Sequence, residues 1–425
     1  MATANPASAT RYDLPPRIAP PLLADTPAAG VEISVYDDLA AAEDIWRAFQ
    51  RIADCTVFQT FDWLSAWQRH VGQRNGVTPA IVVARDTTGA VLMILPLATR
   101  RLGPARELVW LGAEICDYNA PMLAPDFAKQ VCPGEFSRMW RDVIRLLQSR
   151  AQTAFDMIRL EKMPETVRAQ KNPMLELTTT LNPSGSYAAP LAPDWDSFYA
   201  AKRSSSTRRR DRTKRKKLSD FGEIRLVTAK MSAEALDILS VLVKQKSAHF
   251  ARLGIANMFA RPGYLEFLRE FAGSALASGL CHISALRIGS QIAAANFALT
   301  FGGRYSYVLS SYGDGDMAKL GPGAVHLQEL MRYAIDNQFT VFDFTIGDER
   351  YKLDWCEGAQ PLHDHIATSS WRGTLVTAPL LVSARLKRTI KQTPVLWACF
   401  TKLRALAGRL RTADQAAFDP AAEAP

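Results

Sequence analysis

Cysteine is scarce in this 425-residue chain: the six residues Cys55, Cys116, Cys132, Cys281, Cys356 and Cys399 are scattered, with no CxxC pair. That spacing excludes a disulfide-stapled scaffold and a thiolate zinc ribbon. Long apolar runs are missing too. No stretch reaches the ~18–20 apolar residues of a spanning helix, and the opening MATANPASATRYDLPP lacks the basic-then-apolar order of a secretory leader. A cytoplasmic protein is expected. What is present is a 48% apolar content with 22% charged residues, which excludes wholesale disorder and supports a sizeable core in two to four domains.

The net charge of +9 is unevenly placed. Residues 202–217 (KRSSSTRRRDRTKRKK) hold ten Lys or Arg against Asp211, and 374–412 holds eight basic residues and no acid, so the remaining chain sums to −8. Two basic features on a mildly acidic body point to two anionic contacts. The first run admits three readings: a solvated helix, a phosphate contact through residues such as Arg208, Arg209 and Arg212, or a nucleic-acid patch. It contains no aromatic residue for base stacking, which leaves sequence-specific RNA reading unsupported. The second mixes Leu381, Leu386, Ile390, Trp397 and Phe400 with Lys and Arg, the pattern either of a peripheral membrane helix or of an amphipathic helix packed back on the protein.

Periodicity reads as mixed α/β. VEISVYD (31–37) is a strand, 39–52 and 60–70 are helices, and 81–100 is two strands about a Thr-Gly turn. The order recurs: 281–300 is again strand, turn and strand, followed by a third strand at 304–312. Pro133-Gly134 and Pro322-Gly323, 189 residues apart, each precede a helix, and Phe155-Asp156 and Phe342-Asp343, 187 apart, each lie in the strand that follows. A duplicated unit of about 190 residues is the expectation. The divisions expected are a disordered 1–30, a first lobe at 31–180, a Pro/Gly/Ser/Ala-rich linker at 181–196, a second lobe at 197–372, a basic amphipathic tail at 373–412 and a disordered 413–425.

The densest signal is 304–356. A strand enters the turn KLGPG (319–323), from which a helix with apolar Val325, Leu327, Leu330, Met331 and Ala334 opens. Such a turn offers backbone N–H groups and a helix dipole to a pyrophosphate, although glycines also serve merely to turn the chain. His363-Asp364-His365 would put two imidazoles on one face of a strand, but no third and fourth ligand is evident nearby, so no metal is expected.

The basic run 202–217, the hairpin SALRIGSQIAAANFAL (284–299), the loop LGPGAVHLQEL (320–330), Phe342-Asp343-Phe344 and GDERYKLDW (347–355) together resemble the GNAT-superfamily acyl-CoA acyltransferases. The similarity is to the CelD/BcsL group of cellulose biosynthesis, whose second half resembles the Fem peptidyltransferases. It spans about 195–372. The resemblance implies two tandem GNAT-like lobes, α/β (α+β) in class, with mixed, mostly antiparallel sheets flanked by helices. It also implies acyl-CoA, by default acetyl-CoA, as co-substrate. Leu309, Ser310, Ser311 and Tyr312 would then flank pantetheine, while Lys319, Leu320, Gly321, Gly323 and Ala324 approach the pyrophosphate. Pro322 departs from the usual loop by removing one donor.

Transfer of an acyl group needs a base for the acceptor and an acid for the leaving thiolate. Asp343, Asp348, Glu349, Tyr351 and Lys352 follow the last core strand, with Asp348 or Glu349 read as base, Tyr351 as acid and Lys352 as a contact for an acceptor phosphate or carboxylate. Alternatively Asp343 caps a turn and Lys352 is a solvated charge. The first half lacks the Tyr-Lys-Trp ending, so it is read as having lost transfer chemistry, with Asp117, Tyr118 and Asn119 either walling the acceptor cleft or forming a plain turn. The acceptor expected is an amine or hydroxyl on a sugar or polysaccharide precursor, near the inner membrane of a bacterium. Aminoacyl-tRNA-dependent transfer and a non-catalytic scaffold of a membrane polysaccharide synthase are the rivals.

Overall fold

The computed structural model describes residues 30–392. The expected disordered ends, apart from residue 30, and the tail beyond 392 lie outside the described residues. The strands are β1 (Glu32–Tyr36), β2 (Thr78–Arg85), β3 (Val91–Leu102), β4 (Ala105–Trp110), β5 (Met122–Leu123), β6 (Met157–Pro164), β7 (Thr166–Val167), β8 (Gln170–Lys171), β9 (Thr180–Leu181), β10 (Ser186–Pro190), β11 (Ile224–Thr228), β12 (Cys281–Ile288), β13 (Gln291–Phe301), β14 (Arg304–Tyr312), β15 (Val341–Ile346) and β16 (Leu362–Thr368). The α-helices are α1 (Leu39–Gln50), α2 (Phe61–Trp67), α3 (Phe127–Gln130), α4 (Glu135–Gln148), α5 (Trp195–Lys202), α6 (Ser205–Ser219), α7 (Ser232–Arg252), α8 (Tyr264–Ser274), α9 (Pro322–Asp336) and α10 (Trp371–Gln392).

Two mixed sheets carry the fold. One runs β1-β2-β3-β4-β6-β16-β9 with β5 on β3; the other runs β10-β15-β14-β13-β12-β11. Each is antiparallel except at one place: β4 meets β6 in parallel, and β14 meets β15 in parallel. Both parallel contacts are short. Only Arg304, Tyr305 and Ser306 pair with Val341, Phe342 and Asp343, after which β14 continues to Tyr312 along β13 alone, while β15 stays paired with β10 as far as Ile346. The second sheet is therefore splayed at its centre.

The helices form where apolar residues recur at helical spacing. In α4 the buried set Phe136, Met139, Trp140, Val143 and Leu147 makes one face, and in α9 Val325, Leu327, Leu330, Met331 and Ala334 are buried as the pattern requires. Gly134 and Gly321, both left-handed, hold the N-cap positions of α4 and α9. They lie 187 residues apart, so the register of the repeat sets Gly134 against Gly321 and not against Gly323.

The lobes are not separable at 181–196. That segment, expected as a linker, contains β10, which completes the second sheet, while β16 from the far end of the second half pairs with β6 in the first. Backbone N–H and C=O groups at each sheet edge need partners, and each half supplies a strand to the other. A shared aromatic core joins them further: Trp63 of α2 meets Phe267 and Phe271 of α8 edge-on at 4.8 Å each. Gly263 (φ +86°) permits this approach, since a Cβ there would lie 2.0 Å from the His70 carbonyl oxygen. No helix among the described residues is long and apolar enough to cross a membrane.

Candidate active site

The splay between β14 and β15 opens beside the N-terminus of α9. Gly321 (φ 72°) turns the chain, Pro322 takes the first helical position and Gly323 lies under the exposed Tyr312, where a Cβ would be 3.2 Å from the tyrosine ring. Ala324 donates its N–H back to Gly321. Lys319 is exposed, and Leu320 joins the small cluster of Leu218, Leu286, Ile288 and Val325 that fastens α6 to this turn. The basic helix thus lies against the glycine loop and α9, tied also by the Arg215–Glu329 ion pair.

The charges on α6 divide by face. Arg209 and Arg212 are exposed. Arg208 is half-buried, and its Nε has no hydrogen-bond partner. A buried guanidinium donor without a partner is suited to an anion. Asp211, the single acid of the run, is occupied by Tyr199 at 2.7 Å and Gln328 at 3.1 Å.

Along β14, Leu309 and Ser311 are buried and Ser310 is half-buried. Ser311 donates to Gln245 at 2.8 Å, and Lys246 Nζ donates to the Ser310 carbonyl at 3.0 Å. Lys246 is a residue that sequence reasoning missed. It sits in the helix α7 pattern as an ordinary charge, but burial lowers the pKa of its ammonium, opposed by the Glu349 carboxylate. Nothing in the local sequence distinguishes it from Lys244, which is exposed.

The five candidate residues separate in role, Asp343 lying within β15 and the other four after it. Glu349 is exposed and pairs with Lys352 at 2.9 Å, folding over Gly347, where a Cβ would meet its Oε2 at 2.6 Å. Tyr351 leaves part of its surface open and packs edge-on against Phe344. Burial, with Tyr307 and Glu349 adding, pushes its hydroxyl well above the usual tyrosine range, so it keeps its proton at neutral pH. Asp348 is exposed and lines an open cavity of about 410 Å³ with Asn182, Ser184, Gly185 and Gln360.

Lys352 does not face an acceptor. It is 3% exposed, and its ammonium donates to the carbonyls of Ile346 at 3.0 Å and Gly347 at 3.2 Å besides pairing with Glu349. A buried ammonium needs such oxygens, and here they fix the turn that presents Glu349. Asp343 is likewise not open to substrate. Fully buried, it accepts from Tyr118 Oη at 2.7 Å, Arg304 Nη1 at 2.8 Å and the Thr345 N–H at 2.8 Å.

That contact brings the first lobe to the site. Asp117, next to Tyr118, is raised to about 6 by burial, with Lys162 opposing and Thr345, Asp343 and Lys352 also acting on it. Asn119 is buried and donates to the Glu161 carbonyl at 3.0 Å, and its N–H bonds to Lys162, so it serves the first lobe's own packing and not an acceptor. Lys162 Nζ in turn donates to the Cys116 carbonyl, laying the 116–119 segment along the end of β6. In the second lobe β14 continues along β13 to Tyr312 past a bulge at Val308. His363 and His365 lie on β16 apart from this site, His365 bonding to the Thr178 carbonyl and packing edge-on against Trp140. No group of three metal-ligating side chains occurs among the described residues.

The chain is similar to solved structures of low sequence identity, and with FemX it shares the fold. FemX superposes with a TM-score of 0.52 at 11% identity, over 80% of this chain and 95% of its own. A conserved protein of unknown function from Bacteroides thetaiotaomicron gives 0.49 at 12%, over 79% of this chain and 99% of its own. The C-terminal domain of a lysylphosphatidylglycerol synthetase homologue from Agrobacterium fabrum gives 0.48 at 8%, over 81% and 97%. No curated protein matches the chain. Residues 205–353, which hold α6, the splay, the glycine loop and the Glu349–Tyr351 turn, match the family model of the acetyltransferase (GNAT) domain.

Proposed function

We propose that the second lobe is an acyl-CoA-dependent acyltransferase that acts on an amine or hydroxyl of a sugar or polysaccharide precursor, with acetyl-CoA as the default donor. The observation that carries this reading is the splayed β14–β15 pair opening onto the Gly321–Ala324 helix start, with the basic α6 beside it. The residues fit the donor: Leu309 to Tyr312 offer a strand edge that β15 leaves unpaired, and Gly323 leaves room beneath Tyr312. The donor supplies an acyl thioester. Glu349, held by Lys352, is read as the base, and Tyr351 as the protonated acid. Lys246 positions β14 by binding the Ser310 carbonyl. Lys352 and Asp343 act through the residues they hold and touch no reacting atom. The CelD/BcsL resemblance supports cellulose or another exopolysaccharide as the pathway, and a cytoplasmic site of action.

Release of free thiol from acetyl-CoA in the presence of a panel of amino sugars and sugar nucleotides tests the reading. Glu349→Gln and Tyr351→Phe should each lower kcat by about 10²–10⁴-fold. Full activity in both variants contradicts the assignment. Activity that needs aminoacyl-tRNA and vanishes on RNase treatment favours the Fem-like rival. Retained pathway function in a Tyr351→Phe, Glu349→Gln double variant favours the scaffold.

A further inference from the structure

We propose that the outward face of α10 docks on an anionic lipid bilayer. The helix is fastened to the first sheet by its inner face. Ser370 Oγ donates to Asp156 at 2.6 Å at its start, Gly373 lies so close to the Asp156 carbonyl that a Cβ would be 2.0 Å from the oxygen, and Thr377 is buried against Met157. This docking fixes which residues face away.

Those residues are Trp371, Leu375, Val382 and Leu386, exposed by 69%, 62%, 65% and 59%, with Ala378 also exposed between them. At about 100° per residue, positions 371, 375, 378, 382 and 386 fall within one narrow stripe. Most exposed apolar side chains occur singly on a folded surface, and a continuous stripe of them is an interaction face. Arg372 lies over the Trp371 ring at 5.5 Å, placing a cation beside an aromatic of the kind that seats at a lipid–water interface.

Charge decides among the occupants. From 374 to 412 the sequence has eight Lys or Arg and no acid. If residues 393–412 or the same stripe of a second copy covered it, basic segments would be brought together without an acidic partner. An anionic bilayer accepts the apolar stripe and neutralises every basic residue near it. A nucleic acid would meet the charge but not the apolar stripe. The proposal is independent of the acyl-transfer reading, since α10 packs on the first sheet and shares no residue with the splay.

Flotation of the full chain with vesicles tests it, using phosphatidylcholine alone and phosphatidylcholine with about one-third phosphatidylglycerol. The expected result is binding to the anionic vesicles that weakens as salt rises and is slight on neutral ones. Leu375→Ser with Val382→Ser should lower partition about tenfold, whereas Ile52→Ser, another exposed apolar position, should not. Leu375→Gln alone, checked for an unchanged thermal melt, is the second variant. Absence of binding to anionic vesicles, or equal binding by the stripe variants with intact melts, overturns the proposal. A concentration-dependent dimer that the stripe variants abolish, without vesicle binding, also overturns it in favour of a second copy.

Discussion

Removal of one hydroxyl should loosen the two lobes measurably. Tyr118 and Asp343 are 225 residues apart in sequence, both buried, and joined at 2.7 Å. A hydrogen bond to a buried charged group contributes about 1.5–3 kcal/mol. In Tyr118→Phe the carboxylate keeps Arg304 and the Thr345 N–H, each at 2.8 Å, so the cost should fall in the middle of that range. We expect a loss of about 2 kcal/mol. With a urea m value of about 3 kcal/mol/M the unfolding midpoint drops by about 0.7 M. Asp343→Asn should cost more, because it also breaks the Arg304 ion pair. The double-mutant cycle of the two should show a coupling of about 1–2 kcal/mol. A loss under about 0.5 kcal/mol for Tyr118→Phe, or strict additivity in the cycle, refutes the cross-lobe role of the pair.

Three further outcomes follow from the same structure. Trp63→Ala removes a fully buried ring wedged between Phe267 and Phe271, and should cost about 3–5 kcal/mol with both lobes still unfolding in one denaturant transition. Gly263→Ala adds a Cβ 2.0 Å from the His70 carbonyl oxygen at a left-handed position, and should lower the melting temperature more than the same change at Gly279, whose Cβ would meet nothing. Asp117, raised to about 6 by burial, takes up a proton more readily folded than unfolded, so its contribution to stability is complete below the unfolded value of about 4 and is lost as pH rises through 6. Asp117→Asn should therefore gain on the natural chain between pH 4 and 6, by about 3 kcal/mol in denaturant unfolding, and then run parallel to it.

Local pattern revealed much of the architecture. The alternation of strands and amphipathic helices, the helix α9 core face and the repeat of Phe-Asp after a Pro-Gly turn were all legible, because each depends on neighbours within one or two turns of chain. The exchange of β10 and β16 between the sheets was not. A short strand such as Leu362–Thr368 pairs equally well by its own sequence with either half, and only the tertiary arrangement selects β6. The same limit applies at the site. GDERYKLDW marked the right turn, but a Lys in a charged segment reads as solvated, and nothing nearby foretold that Lys352 would be buried against the carbonyls of Ile346 and Gly347. Lys246 gained its environment from β14, more than 60 residues away.

The central claim is that acyl-CoA lies between β14 and the start of α9. Calorimetric titration with acetyl-CoA and longer acyl-CoAs, beside a Gly323→Asp variant, tests it most directly. The variant puts a side chain against Tyr312 and a carboxylate at the helix start, where it takes the place the dipole offers to the pyrophosphate and repels that anion. The account predicts saturable one-to-one binding that weakens at least about tenfold in the variant, the affinity equivalent of about 1.4 kcal/mol. No binding by the natural chain, or equal binding by both proteins, contradicts it.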